Sequence, residues 1–354
     1  MKASNYLIVG GGVGGLFIAK HLIDQGCSVT LIDNNENKSS IIAAGLINPL
    51  VFRRMNLSWR ANEFIPYAEK AYRELESASG SQFFHPLIIR RLFSSEQERT
   101  FWLDRQFTAN YAPYMYPINS DDDIYSRGRN DFGSGRVKNA FFVDTVSFIE
   151  STFRWLSTRC IIRREQVNYA AIDPVNSTYN GQYFTGIIFA EGVHIRENPW
   201  FNDLPVHSTK GELLTIESDG LPTDESLNRK CFVLPLANGT FKVGATYVWH
   251  TYNDETTNEG KDQLIEQLSY VTTAEFRITH QQAGMRPTTN DRRPYIGKHP
   301  DFPGLYVFNG LGTKGYMLAP LLSAEFCQWL TQETEMDYDV RLERHIKFQK
   351  NEAQ

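Results

Sequence analysis

Apolar residues in this chain fall into short uninterrupted runs and longer periodic stretches, and the alternation of the two sets the expected fold. Residues 6–9, 29–32 and 187–190 are compact apolar runs with little internal alternation, which suits strands of a parallel sheet buried on both faces. Residues 16–25 carry helical spacing between the first two runs, and Gly26 stops them. Residues 59–79 read as one long amphipathic helix, broken near Pro66 and closed by Gly80. Residues 83–93 read as strand and 95–104 as a charged helix. Asp144 is placed to cap a helix running to Thr158, with short strands expected at 160–164 and 167–172. Residues 213–217, 231–236 and 241–245 alternate as antiparallel strands, the last two joined by the hairpin signal Ala237-Asn238-Gly239. A helix at 261–270, a strand at 305–308 and a helix at 316–330 complete the pattern. Residues 110–135, rich in Tyr, Pro, Asp and Gly, show little periodicity and are read as loop, either a lid or a surface excursion.

The turn after the first run is Gly10, Gly11, Gly12, Val13, Gly14, Gly15. Gly10, Gly12 and Gly15 have the G-x-G-x-x-G spacing: one for a sharp turn, one so that backbone can approach a diphosphate, one so that the helix can lie close on the sheet. Such a helix start offers unpaired N–H donors and a positive dipole end. Asp33 closes the second strand where a ribose would present its hydroxyls, so FAD or NAD is favoured over NADP. The motif does not choose between the two. A second glycine-rich turn, Asn309 to Gly315, opens onto another helix and repeats the same physics with Gly310, Leu311, Gly312, Thr313, Lys314, Gly315 and then Tyr316. The two turns read as opposite ends of one ligand. Ala43, Ala44 and Gly45 form either an ordinary loop or one small enough to press against a flat ring system.

Length and composition narrow the class. At 354 residues, with 41% hydrophobic and 13% aromatic content, the chain can build two cored domains. The expected fold is α/β, a Rossmann-like nucleotide domain with an interleaved α+β substrate domain built on an antiparallel sheet. Residues 1–80, 141–205 and 284–354 are assigned to the first, 81–140 and 206–283 to the second. A net charge of −5 disfavours a broad basic surface for nucleic acid. The four cysteines, Cys27, Cys160, Cys231 and Cys327, make no C-x-x-C pair, and none of the eight histidines has metal spacing, so no metal is expected. The early first strand leaves no room for a signal peptide and no apolar run approaches about 20 residues. A cytoplasmic protein with no membrane contact follows; oligomeric state is not legible.

Taken together, the first glycine turn with Asp33, Ala43-Ala-Gly-Leu46, Lys210-Gly-Glu-Leu213 with Val243-Gly-Ala-Thr246, and the block from Gly284 to Gly315 resemble the FAD-dependent amine and amino-acid oxidoreductases. That family includes D-amino-acid, glycine and sarcosine oxidases, and the likeness runs nearly end to end. The tail from Phe308 to Pro320 is also similar to the oxidoreductase half of the bacterial enzyme that trims carboxymethylaminomethyl-uridine in tRNA. The resemblance implies noncovalent FAD, with adenosine near Asp33, Asn34 and Val167 and diphosphate on Gly10, Gly12, Val13, Gly14 and Gly15. Ser40, Ala190 and Gly192 join this set. The isoalloxazine is implied against Ala43, Ala44, Gly45 and Leu46, its carbonyl edge facing Gly310 to Tyr316. Lys314 either steadies negative charge on reduced flavin or is a solvated turn lysine.

Arg286 matches the family arginine that forks onto a substrate carboxylate, a planar bidentate task suited to Arg; the alternative is a turn arginine before Pro287. Phe232 stands where glycine oxidases carry a tyrosine. Tyr247 either supplies that hydroxyl from the neighbouring strand or lines a wall. The implied reaction is oxidation of the C–N bond of a small amino acid or N-substituted glycine by hydride transfer to flavin N5, which needs positioning more than a side-chain base. Two alternatives stay open: a secondary amine on a modified tRNA base, with Arg53, Arg54, Arg90 and Arg91 around the mouth, and a flavin-binding protein without turnover.

Overall fold

The computed structural model describes residues 4–35, 38–119 and 128–345. Its first sheet has six strands in the order Tyr295–Lys298, Leu305–Asn309, Gly186–Phe189, Asn5–Val9, Ser28–Ile32 and Ile161–Arg163. All neighbours run parallel except Tyr295–Lys298, which returns antiparallel on Leu305–Asn309. The unbroken apolar runs therefore became central strands: Leu7, Ile8, Ile187 and Ile188 are fully buried. Helices Val13–Asp24 and Gly315–Gln332 pack against one another and against one face of this sheet. These are the two helices that follow the two glycine turns, so the turns are brought side by side at the carboxyl ends of strands Asn5–Val9 and Leu305–Asn309.

The second sheet has nine strands. Its path runs Val248–Trp249, Val206–Glu217, Thr240–Gly244, Cys231–Pro235, Ser226–Arg229, Phe84–Leu92, Ser134–Val143 and Leu46–Ile47, and Arg277–Thr289 also pairs with Val206–Glu217. Pairing is antiparallel apart from Ser226–Arg229 on Phe84–Leu92. Helix Asn258–Ser269 closes one side, burying Leu264 and Leu268 against Leu214, Ile216 and Val243. This is the Rossmann-like plus substrate-sheet architecture the pattern predicts. Strand Arg277–Thr289 runs through position 284 without interruption.

Local signals that depend on neighbouring residues held. Asp144 caps helix Thr145–Ser157, its Oδ1 accepting Ser147 N–H at 3.1 Å. Gly80 ends helix Ala61–Ser79 with φ +65°. Three expectations need correction. The helix passes through Pro66 without a break, because both Pro66 and the Asn62 whose carbonyl it leaves unbonded are exposed to water. The strand expected over 167–172 is a 3₁₀ turn at Tyr169–Ala171, and a strand begins only at its last residue, Ile172; the Asn168 side chain accepts Ala170 N–H at 3.1 Å and holds the turn. Two long strands stand where the pattern assigns none, Arg277–Thr289 through the Gly284 block and Ser134–Val143, whose first two residues end the stretch read as loop.

Part of the expected loop at 110–135, residues 120–127, lies outside the described residues. Its described flank is tied to the sheet: Gln106 brackets Ile118 through N–H···Oε1 at 2.8 Å and Nε2–H···O at 3.0 Å, and Met115 bridges to Val137. Among the described residues no helix is long and apolar enough to cross a membrane.

Candidate active site

A cavity of about 730 Å³ lies between the two sheets, lined at one end by Ile32, Asp33 and Asn34 and at the other by Gly211, Phe232 and Arg286. That volume is of the order of a pocket for a large cofactor or a drug-sized ligand.

The first glycine turn forms one wall. Gly10 has φ +103°, and a Cβ there would sit 2.5 Å from Ala190 O, so the turn and strand Gly186–Phe189 can meet only without a side chain. A Cβ at Gly15 would overlap Gly10 O. Gly12 precedes helix Val13–Asp24 with no side-chain cap; Val13 N–H donates to Ser40 Oγ at 3.2 Å, and Gly12, Val13 and Gly14 line the cavity. Asp33 is 4% exposed and oriented from two sides, with Oδ1 accepting Gly11 N–H and Oδ2 accepting Asn35 N–H and Arg164 Nη1–H, each at 3.0 Å. Asn34 donates to Gln166 Oε1 at 2.7 Å, and Gln166 and Val167 complete that end.

Ser40, Ala43, Ala44, Gly45 and Leu46 run along the cavity. Gly45 has φ +69° and takes the close approach of strand Ser134–Val143, where a Cβ would overlap Val143 O. The second glycine turn faces this loop. Asn309 Nδ2 donates to Gly192 O at 2.9 Å, Gly310 and Gly312 have φ +83° and +57°, and helix Gly315–Gln332 starts without a side-chain cap. Tyr316 OH donates to Ser40 O at 2.6 Å, clamping the helix start to the loop. Ala190, Gly192, Leu311, Gly312, Thr313, Lys314, Gly315 and Tyr316 line the cavity, while Gly15 and Gly310 support it from behind. Lys314 Nζ donates to Asn48 O at 3.3 Å and to Ser58 Oγ. Burial, with the charge of Arg292, lowers its pKa to about 8.

At the far end Arg286 lies flat over Gly211, whose missing Cβ would overlap the guanidinium. Arg286 Nη1 donates to Thr246 O at 3.3 Å, and its Cζ lies 5.7 Å from the Tyr247 ring centroid. Burial pulls its pKa below the ordinary arginine value, and among the described residues no acidic side chain pairs with it. Tyr247 is 42% exposed at the cavity mouth. Phe232 lines the wall beside Gly244.

Sequence reasoning missed four residues here. Glu191 lines the cavity beside the first turn; its carboxylate accepts Tyr169 OH at 2.6 Å and Asn198 Nδ2–H at 2.8 Å, yet burial lifts its pKa to about 7. Lys242 donates to Ala43 O at 3.3 Å, and burial lowers its pKa. Gly211 and Asn228 line the wall. Gly211 lies in the Lys210-Gly-Glu-Leu213 stretch but nothing there says that Arg286 would cover it, and the other three sit in no local motif. Arg90 and Arg91 are buried and paired, Arg90 with Glu225 at 2.9 Å and Arg91 with Glu98 at 2.7 Å, and offer no basic surface; Arg53 and Arg54 are exposed.

A Rossmann-like sheet, an oriented acid after its second strand and a second uncapped helix aimed at the same cavity define a dinucleotide-dependent oxidoreductase. The chain belongs to the FAD dependent oxidoreductase (DAO) family, whose model matches residues 5–329. It is 24% identical over 349 residues to a glycine oxidase of Bacillus licheniformis, covering 90% of each chain. It is also 24% identical over 378 residues to the tRNA 5-methylaminomethyl-2-thiouridine biosynthesis bifunctional protein of Legionella pneumophila, spanning 92% of this chain but 53% of that one. The crystal structure of glycine oxidase from Geobacillus kaustophilus superposes with a TM-score of 0.78 at 19% identity, covering 94% of this chain and 96% of the other. The protein is an FAD-dependent oxidoreductase. The cavity suits that cofactor: glycines at positions 10 and 45 let the backbone of its walls pack closely, two helix starts whose N-cap residues give no side-chain hydrogen bond open onto it, and a fixed carboxylate stands at one end.

Proposed function

We propose that this enzyme oxidises the C–N bond of a small amino acid or N-substituted glycine, and that Arg286 holds the substrate carboxylate. The observation that carries this is the partly buried Arg286 guanidinium, facing the cavity and lacking an acidic partner among the described residues. A desolvated arginine of this kind is stabilised by an anion it can fork onto. Bound FAD would supply the two-electron acceptor for hydride from the substrate α carbon.

The chain's own groups bind and orient. Gly12 and Gly14 would present N–H groups to the diphosphate, with Val13, whose N–H is held by Ser40 Oγ, packed beside it, and Asp33 would take the ribose. Ala43 to Leu46 and the turn from Leu311 to Tyr316 would flank the ring system, where the helix start and Lys314 favour negative charge. Arg286 would fix the carboxylate, while Phe232 and Tyr247 limit the space around the α carbon and keep water out. A lining without cysteine supports noncovalent binding, and four free thiols support a cytoplasmic setting.

Anaerobic bleaching of the bound flavin by a panel of glycine, sarcosine and both enantiomers of larger amino acids tests the reading. Arg286→Ala is expected to raise the half-saturating concentration by roughly tenfold or more, with flavin content unchanged. Equal bleaching of both forms removes Arg286 from the site; a flavin that no amine bleaches ends the reading.

A further inference from the structure

We propose that Asn228 is a second substrate anchor, donating from its amide Nδ2 to an uncharged oxygen of a substrate whose carboxylate is held by Arg286. The inference deepens the oxidation reading and rests on it. It narrows the substrate class to amino acids or N-substituted glycines whose side chain or N-substituent carries an amide, carbonyl or hydroxyl oxygen beyond an apolar spacer.

The argument begins with the register of the second sheet. Leu213 faces Gly244, Gly244 faces Phe232, Phe232 faces Asn228, and Asn228 faces Arg91, one row across five strands. Leu213, Phe232 and Asn228 all line the cavity. Arg286 lies over Gly211, two positions along the strand from Leu213. The cavity floor therefore starts at a cation, crosses Leu213 and Phe232, and ends at Asn228. Neighbouring strands lie about 4.8 Å apart, so the four steps from strand Arg277–Thr289 to strand Ser226–Arg229 separate the Arg286 and Asn228 backbones by roughly 19 Å; the Arg286 side chain covers the first step to lie over Gly211, and with Asn228 leaning inward a bound molecule spans on the order of 10 Å.

Asn228 is held in one orientation. Arg91 Nη1 donates to Asn228 Oδ1 at 2.8 Å, and an arginine can only donate, so the amide oxygen faces Arg91. The amide nitrogen is left for the cavity. Arg91 itself cannot swing: it pairs with Glu98 at 2.7 Å, donates to Ser94 Oγ at 3.1 Å and lies 5.1 Å over the Phe52 ring. Glu98 cancels its charge, so this end of the cavity presents a neutral donor beside Leu50. A neutral, fixed N–H at the end of an apolar strip selects an acceptor oxygen and not a second carboxylate.

Calorimetric titration of the holoenzyme with 6-acetamidohexanoate and with hexanoate tests this apart from catalysis, because neither probe carries an oxidisable amine. Wild type is expected to bind 6-acetamidohexanoate about tenfold more tightly than hexanoate, and Asn228→Ala to erase that preference while hexanoate affinity moves less than twofold. Arg286→Ala is expected to weaken both probes. Equal binding of the two by wild type, or equal weakening of both by Asn228→Ala, overturns the inference. A flavin that no amine bleaches overturns the oxidation reading even where the titration behaves as expected, so the two failures are distinguishable.

Discussion

Gly211→Ala is the sharpest perturbation the site offers. Gly211 faces Gly284 across paired strands, and the Arg286 guanidinium occupies the space a side chain would take. No positive φ constrains Gly211, so alanine is compatible with its backbone, and the atoms it meets are the far end of a long side chain. The fold is therefore expected to survive while the guanidinium moves. Restoring a carbon–carbon separation of about 3.5 Å requires the guanidinium to retreat by more than ~1 Å. A shift of that size breaks at least one arm of a bidentate carboxylate contact, about 1.5–3 kcal/mol, or roughly a 10- to 150-fold loss in kcat/KM for substrates with a carboxylate. Anaerobic stopped-flow reduction of the flavin measures it, with circular dichroism and flavin content as controls. If Gly211→Ala reduces at the wild-type rate and concentration dependence, Arg286 does not hold the substrate in the way argued here.

Two further outcomes follow from the cofactor end. Glu191, with its pKa raised to about 7 by burial, is neutral below that pH and anionic above it, beside the turn assigned to the diphosphate. FAD affinity is therefore expected to weaken as pH rises through about 7, by on the order of 1–2 kcal/mol, and to lose this dependence in Glu191→Gln; fluorescence titration from pH 6 to 8.5 reads it, and identical profiles refute it. Gly45→Ala places a Cβ against Val143 O at φ +69°, so the loop from Ser40 to Leu46 must shift. The purified variant is expected to carry much less flavin than wild type, and full occupancy would show that this loop does not flank the ring system.

What the sequence made legible depended on range. The first turn, Asp33 and the Asp144 cap are written in residues adjacent along the chain, and each formed as the local physics required. Arg286 was visible because it sits in a dense block with a family likeness. Strand Arg277–Thr289 is not, since Gly284 and Pro287 weaken its strand pattern; they are tolerated because the strand pairs on one side only, with Val206–Glu217, and Ile42 and Ser39 pack at Gly284. Asn228 acquires meaning only through cross-strand register, set by five strands that are far apart in the chain, and Gly211, though part of the Lys210-Gly-Glu-Leu213 stretch, shows its role only once Arg286 is seen lying over it. Glu191 reads as an ordinary acid after a strand until burial and Tyr169 are seen around it.

The account's central claim is that the two glycine turns hold one FAD, the first at its diphosphate and the second at its ring system, and difference density in crystals of the holoenzyme tests it most directly. The expected result is a single FAD with its diphosphate on Gly12 to Gly14, its ribose on Asp33, and its ring system between Ala44 to Leu46 and Leu311 to Tyr316. Density that leaves either turn without contact, or that places the ring system at the Asp33 end, would contradict it.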